Sequence, residues 1–256
     1  MEHVLELKNI SHSYHNTEGE TPALKELSFF LKKGEFISIV GPSGCGKSTL
    51  LSLIAGLLIP ESGTILINGK QLKESTTNIG YMLQRDHLFE WRTIYNNVIL
   101  GLEIQHMLAA RTRRKAHQLL EQYGLESFAN ARPSELSGGM RQRAALIRTL
   151  VLEPDLLLLD EPFSALDYQT RLTVGDDIGQ IIKKEQKTAI LVTHDLSEAI
   201  SLGYTNDPTT FKNRSTPAPS TRSMACKAQT SGRIYLHSGP RTELHEIIRQ
   251  EYARHQ

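Results

Sequence analysis

Gly41-Pro42-Ser43-Gly44-Cys45-Gly46-Lys47-Ser48-Thr49 is the stretch whose reading decides the fold. Residues 35–40 before it (EFISIV) form an apolar run that reads as a strand, and residues 48–56 after it read as a helix. The nonapeptide fits G-x-x-x-x-G-K-[ST] in full. Its glycines let backbone N–H groups curl around phosphate oxygens, and the N-terminus of the following helix adds a favourable dipole. Gly41, Pro42, Ser43, Gly44, Cys45, Gly46, Lys47, Ser48 and Thr49 are therefore the candidate phosphate cradle. Lys47 would reach the β- and γ-phosphates, and Ser48 would ligate Mg²⁺. Cys45 reads as a small side chain inside the loop, not as a redox site.

Downstream, Leu156-Leu157-Leu158-Leu159-Asp160-Glu161-Pro162 is an apolar strand ending in two carboxylates. Such a strand would deliver Asp160 toward the metal and leave Glu161 able to polarise a water for in-line attack on a γ-phosphate. Between these two stretches lies Leu136-Ser137-Gly138-Gly139-Met140-Arg141-Gln142-Arg143, just before a helical pattern. Ser137, Gly138 and Gly139 at a helix start make a second candidate anion site. One chain with one phosphate cradle has no obvious need of a second. The economical reading is that it meets a nucleotide held by another subunit.

The rest of the pattern fits a largely parallel sheet. Strand-like runs occur at residues 4–7, 27–31, 63–67, 79–83, 156–159 and 189–193, and Asn68-Gly69 marks a tight turn. From about residue 91 to residue 152 the chain is helical in tone, with helices expected at 94–102, 111–123 and 139–151. Strands alternating with helices imply an α/β fold. Arg111, Arg113 and Arg114 read as a solvated helix face.

Composition removes several classes. With 29 Lys+Arg against 28 Asp+Glu the net charge is +1, which argues against a general nucleic-acid binder. The two cysteines, Cys45 and Cys226, cannot build a disulfide framework. No apolar run approaches the roughly 20 residues that span a bilayer, and the first residues lack a signal-peptide pattern.

With three motifs in this order, the sequence resembles an ABC-transporter nucleotide-binding subunit over about residues 5–203. Residues 41–49 resemble the family's Walker A, 156–162 its Walker B and 136–143 its signature. The resemblance implies a P-loop NTPase cassette: a mixed sheet core with an N-terminal antiparallel β part and an inserted helical subdomain at about 91–152. It also places smaller motifs. Gln84 resembles the glutamine that contacts Mg²⁺ and couples to a membrane subunit. Residues 164–167 (SALD), ending in Asp167, resemble the D-loop, and His194 the switch histidine that senses the γ-phosphate. Tyr14 resembles the aromatic that stacks on adenine. The implied catalytic set is Glu161, His194, Gln84 and Lys47, the implied metal set Ser48, Gln84 and Asp160, and the implied cofactors ATP and Mg²⁺. The implied mechanism is a head-to-tail homodimer sandwiching two ATP molecules between Walker A of one chain and Ser137, Gly138 and Gly139 of the other. The implied partners are integral membrane permease subunits and, through them, a solute-binding protein, at the cytoplasmic face of the membrane. Residues 83–94 and 97–103, with Trp91 and N-V-I-L-G-L-E, resemble the importer branch for nitrate, sulfonate, taurine and related anions. An exporter subunit is the nearest rival, and a soluble ABC ATPase a more distant one.

Past Gly203 the chain departs from the family pattern. An Asp-Arg pair and an apolar strand are expected there, but Tyr204-Thr205-Asn206-Asp207-Pro208 follows. Of the 28 residues 204–231, 13 are Thr, Ser or Pro, and none forms an apolar run. Residues 204–256 read as an atypical tail, with a last helix expected at 243–252 and a change of reading frame near Tyr204 as its cause. Absent edge strands would leave sheet backbone uncovered near His194, so lowered stability is expected.

Overall fold

The structure, a computed structural model, describes residues 3–17, 19–72, 78–195, 198–199 and 235–237. The chain opens with a long hairpin, β1 (His3–Asn16) and β2 (Gly19–Lys32), followed by β3 (Phe36–Val40) and α1 (Lys47–Ile54). Then come β4 (Ser62–Ile67), β5 (Lys70–Gln71) and β6 (Ile79–Met82). Strands β2-β1-β4-β5 make an antiparallel sheet. The β4–β5 turn uses Asn68 and Gly69, both at positive φ (50° and 75°), as a tight hairpin requires.

From β6 to the next strand the described chain is helical: α2 (Ile94–Val98), α3 (Leu100–Ile104), α4 (Ala110–Gln122) and α5 (Gly138–Leu150), with two short 3₁₀ turns before α5. The single helix expected at 94–102 is broken at Ile99, which caps α2 and starts α3. β7 (Leu156–Asp160), α6 (Tyr168–Lys184) and β8 (Thr188–Thr193) complete the second sheet, whose order is β6-β7-β8-β3-β9. Its first four strands are parallel.

The second sheet is apolar on both faces. Leu157 and Leu159 point into one core with α5 and α6, while Leu156 and Leu158 point into the other with α1 and the β1–β2 hairpin. Residue alternation along a strand thus feeds two cores at once, so β7 reads as an unbroken apolar run. All four leucines are fully buried, each contributing about 1.5–3 kcal/mol.

Two differences from the sequence reading have clear physical causes. The expected strands at 4–7 and 27–31 are the apolar ends, far from the turn, of two 14-residue strands. Residues 14–16 and 19–21 next to the turn are exposed, and several bulges interrupt the pairing before them, which breaks the side-chain alternation. A strand also exists after Gly203, where the reading found none: β9 (Tyr235–His237) pairs antiparallel with Ser38–Val40. Main-chain pairing to an open sheet edge needs no apolar signature. Residues 204–231 and 243–252 lie outside the described residues.

One buried side chain fixes the loop between β6 and α2. Asn97 is fully buried; its Oδ1 accepts from Phe89 N at 2.7 Å, and its Nδ2 donates to the carbonyls of Phe89, Arg92 and Thr93 at 3.0–3.3 Å. Asn97→Ala orphans these groups together. Chemical denaturation should show a loss of about 2–4 kcal/mol.

Candidate active site

The carboxyl ends of β3, β7 and β8 converge, as their parallel register demands. β3 is buried at every residue and ends at Val40. The loop Gly41–Gly46 then turns into α1, with Gly44 (φ 80°) and Gly46 (φ 95°) in the left-handed region. A Cβ on Gly46 would lie 2.6 Å from the Ala23 carbonyl oxygen, so only glycine fits. Cys45 is buried in the apolar cluster beneath the loop.

Lys47 is 4 % exposed. Its Nζ donates to the carbonyls of Gly41 and Pro42, both at 2.8 Å, and lies 3.7 Å from Glu161 Oε1. Ser48 Oγ donates to Asp160 Oδ1 at 3.1 Å. Tyr81 OH, from β6, donates to Asp160 Oδ2 at 3.2 Å. Burial pushes the Asp160 carboxyl up from the usual carboxylate range, against the two hydrogen bonds that stabilise its charge. Burial and the Asp160 charge push Tyr81 up to about 12, which keeps the phenol protonated and a donor.

Glu161 sits just past β7 with φ 44°, a left-handed backbone position held by its N–H bond to Val192 O at 2.8 Å. Its Oε2 meets His194 Nδ1 at 2.8 Å, while the His194 ring remains 45 % exposed. Thus Lys47, Ser48, Asp160, Glu161 and His194, drawn from three strand ends, form one connected polar cluster. Tyr14 lies beside it on β1. Its hydroxyl is 3.1 Å from Thr49 Oγ1, the His12 ring packs edge-on at 5.2 Å, and its own ring is 47 % exposed.

Other expected site residues lie elsewhere. Gln84 follows β6 as an exposed side chain outside the cluster's hydrogen bonds. Pro42, Ser43 and Gly44 are exposed on the outer loop. Ser137 caps α5, accepting from Met140 N at 3.3 Å. Cβ atoms built on Gly138 and Gly139 would come within 2.8 Å of Leu166 and 2.6 Å of Val174, so this turn packs on residues 164–167 and on α6. Asp167 caps α6 by accepting from Thr170 N at 3.0 Å, a bond that holds its carboxyl below the usual range. The bonds of Ser137 and Asp167 and the close contacts of Gly138 and Gly139 are local to α5, α6 and residues 164–167 and do not involve the Lys47 cluster.

The donor chemistry fits a Mg²⁺–nucleotide. A serine hydroxyl and an aspartate oxygen 3.1 Å apart are hard oxygen ligands of the kind Mg²⁺ takes beside phosphate oxygens. The left-handed glycines Gly44 and Gly46 let the loop backbone turn around phosphates. Among the described residues no group of three His, Cys, Asp or Glu side chains could hold a metal by itself.

A phosphate loop between a buried strand and a helix, beside an acidic strand end in a parallel sheet, defines the class as a P-loop NTPase cassette. Residues 24–164 match the ABC transporter family, and the chain belongs to it. It is an ATP-hydrolysing transport ATPase by that membership. An uncharacterised ABC transporter ATP-binding protein of Bacillus subtilis, YtlC, is 49% identical over 212 residues, 81% of this chain and 82% of that one. The taurine import ATP-binding protein TauB of Pelagibacter ubique is 43% identical over 197 residues, 77% of this chain and 74% of that one. The nitrate import ATP-binding protein NrtC of Synechococcus elongatus is 43% identical over 188 residues, 72% of this chain and 28% of that longer one. Among solved structures, a dimeric ATP-binding cassette in a post-hydrolysis state with ADP and Pi superposes with a TM-score of 0.66 at 34% identity, over 77% of this chain and 90% of that one. Two of these relatives are thus named as importer ATP-binding proteins.

Tyr81 is the site residue that sequence reading missed. Its partner Asp160 is distant in sequence, and only the pairing of β6 with β7 brings them together. Tyr81→Phe keeps the ring and removes the donor to a buried carboxylate. Denaturation should show a loss of about 1.5–3 kcal/mol.

Proposed function

We propose that this chain powers an importer for taurine, nitrate, sulfonate or a related small anion by ATP-driven head-to-tail dimerisation. The observation that carries the reading is the connected cluster of Lys47, Ser48, Asp160, Glu161 and His194 above the phosphate loop. The substrate class rests on the relatives named for taurine and nitrate import.

In this reading Lys47 exchanges the Gly41 and Pro42 carbonyls for the β- and γ-phosphates. Tyr14 offers its exposed face to the adenine, and residues 41–49 hold the phosphates. Ser48, Asp160 and Gln84 hold Mg²⁺, which neutralises charge on the phosphate oxygens when bound. Glu161 orients the attacking water, and His194 stays on Glu161 while reaching toward the γ-phosphate. Ser137, Gly138, Gly139 and Asp167 meet the nucleotide of a second copy, since their own bonds and contacts do not join them to their own chain's cluster. Association is then driven by ATP, because nucleotide is what joins the two half-sites.

The permease would dock on the helical region. Phe89 and Trp91 pack at 4.7 Å, Trp91 is 70 % exposed, and Leu83, Ile104 and Met107 are exposed apolar side chains of the same region. That surface suits a membrane-subunit segment, and this supports a reading in which the protein works at the cytoplasmic face of the membrane, with a solute-binding protein reached through the permease. Among the described residues no helix is long and apolar enough to cross a membrane.

The domain is proposed to run to about residue 203, with a frame change at the start of 204–256. The genetic code supports this. Read one nucleotide later, the codons for Thr205–Lys212 can specify Arg, Met or Thr, Ile or Thr, then Leu three times in succession. The remaining frame offers mostly stop codons and polar residues, with a single apolar codon across Thr210 and Phe211. An arginine followed by an apolar run is what the family pattern expects at this point. Sequencing the gene should reveal such a run, and a frame-restored chain should melt several degrees higher than this one. A second frame without that run would show the tail to be merely divergent.

The reading as a whole is tested with Glu161→Gln, followed by light scattering with and without ATP and Mg²⁺. The expected result is a monomer that becomes a dimer only with both. A variant that binds ATP and remains monomeric overturns the sandwich mechanism.

A further inference from the structure

We propose that Arg171 is a positioning residue of the hydrolytic site, tying the loop at residues 164–167 to the segment that carries His194. The inference rests on the roles proposed for Glu161 and His194, and it is carried by a clasp outside the polar cluster.

Arg171 stands in the first turn of α6 and is 18 % exposed as a side chain. One guanidinium nitrogen, Nη1, donates to Asp195 Oδ2 at 3.0 Å. The other, Nη2, donates to the Leu166 carbonyl at 3.0 Å. Nε, which is buried, lies 3.6 Å from Glu198 Oε1. The planar fork thus donates to two acceptors from two segments and sets its charge beside a third group, the Glu198 carboxylate, a geometry an ammonium cannot reproduce. The two carboxylates are themselves fixed. Asp195 N donates to Thr193 Oγ1 at 2.9 Å, the Thr193 hydroxyl bonds Glu198, and Glu198 is 4 % exposed.

Both ends of the clasp lead to proposed functional groups. Asp195 directly follows His194, whose Nδ1 is 2.8 Å from Glu161. Leu166, whose carbonyl Arg171 grips, packs its side chain against Gly138 so closely that an added Cβ would sit 2.8 Å from it. One turn along α6, Val174 is as tight against Gly139. A shift of the Ser137–Gly139 turn, as on meeting a second copy, therefore has a packed route through Leu166 and Arg171 to the backbone beside His194. Arg171 touches neither the phosphate loop nor Tyr14, so it acts on the hydrolytic groups and not on nucleotide affinity.

The test uses the full chain with Arg171→Ala, Asp195→Asn, the double variant and Arg171→Lys. ATP hydrolysis gives kcat and KM, and ¹⁵N-histidine NMR gives the His194 ring signals. Each single change should lower kcat by about tenfold or more and leave KM for ATP within about twofold. The double variant should be no worse than the more damaged single one, because both remove the same link. Arg171→Lys should recover part of the loss, and His194 signals should move while those of His12 and His15 stay. Multiplicative losses in the double variant, or unmoved His194 signals with kcat within about twofold, overturn the proposal. If Arg171→Ala fails to fold, Asp195→Asn and Arg171→Lys carry the same readings. If the unmodified chain hydrolyses no ATP, the catalytic reading fails by itself, and the His194 signals still decide the clasp.

Discussion

The structure depends on the burial of β7 between β6 and β8. Its four leucines enter two separate cores in alternation, so the strand can neither slide nor flip without exposing one of them. That constraint carries Asp160 and Glu161 to the carboxyl edge of the sheet, where a parallel arrangement also places the ends of β3 and β8. Ligand sites of open parallel sheets lie along this edge. The acidic pair is therefore where it is because of leucine packing, with no direct contribution from the carboxylates themselves. Their placement opposes stability: burial disfavours the Asp160 charge, and the hydroxyls of Ser48 and Tyr81 offset only part of that cost.

The polar cluster satisfies itself. Lys47 is taken up by two loop carbonyls and the Glu161 carboxylate, and Glu161 is shared with His194. A buried ammonium and carboxylate need such partners. A phosphate ligand would have to offer more than these contacts do, which its charge and the loop N–H groups can supply. The same economy appears on the other face. Ser137 and Asp167 cap helices with the groups proposed to meet a second copy's nucleotide, so each serves the fold before any partner arrives.

Much of this was legible in the sequence because the chemistry is local. The phosphate loop needs its glycines, lysine and serine in fixed order, and β7 needs its apolar run next to its acids. The structure brings Lys47, Ser48, Asp160, Glu161 and His194 together and puts Tyr14 beside them. Less local features escaped. The turn end of the β1–β2 hairpin pairs exposed residues across bulges, and helix α6 was not anticipated despite its Asp167 cap. The expected 94–102 helix is broken at Ile99, which caps α2 and opens α3.

The sequence by itself determined the class of the fold, the phosphate loop, the acidic strand end and the serine-capped turn that opens α5, because each is written in contiguous residues whose types follow from their chemistry. Only the tertiary structure decided which distant groups meet. Tyr81 reaches Asp160 through the β6–β7 register, Arg171 bridges Leu166 and Asp195 from α6, and β9 closes the edge of β3. The physical reason is that a hydrogen bond or a strand pairing depends on positions in space that no local pattern encodes. A core built from alternating leucines fixes those positions only once the whole sheet has closed.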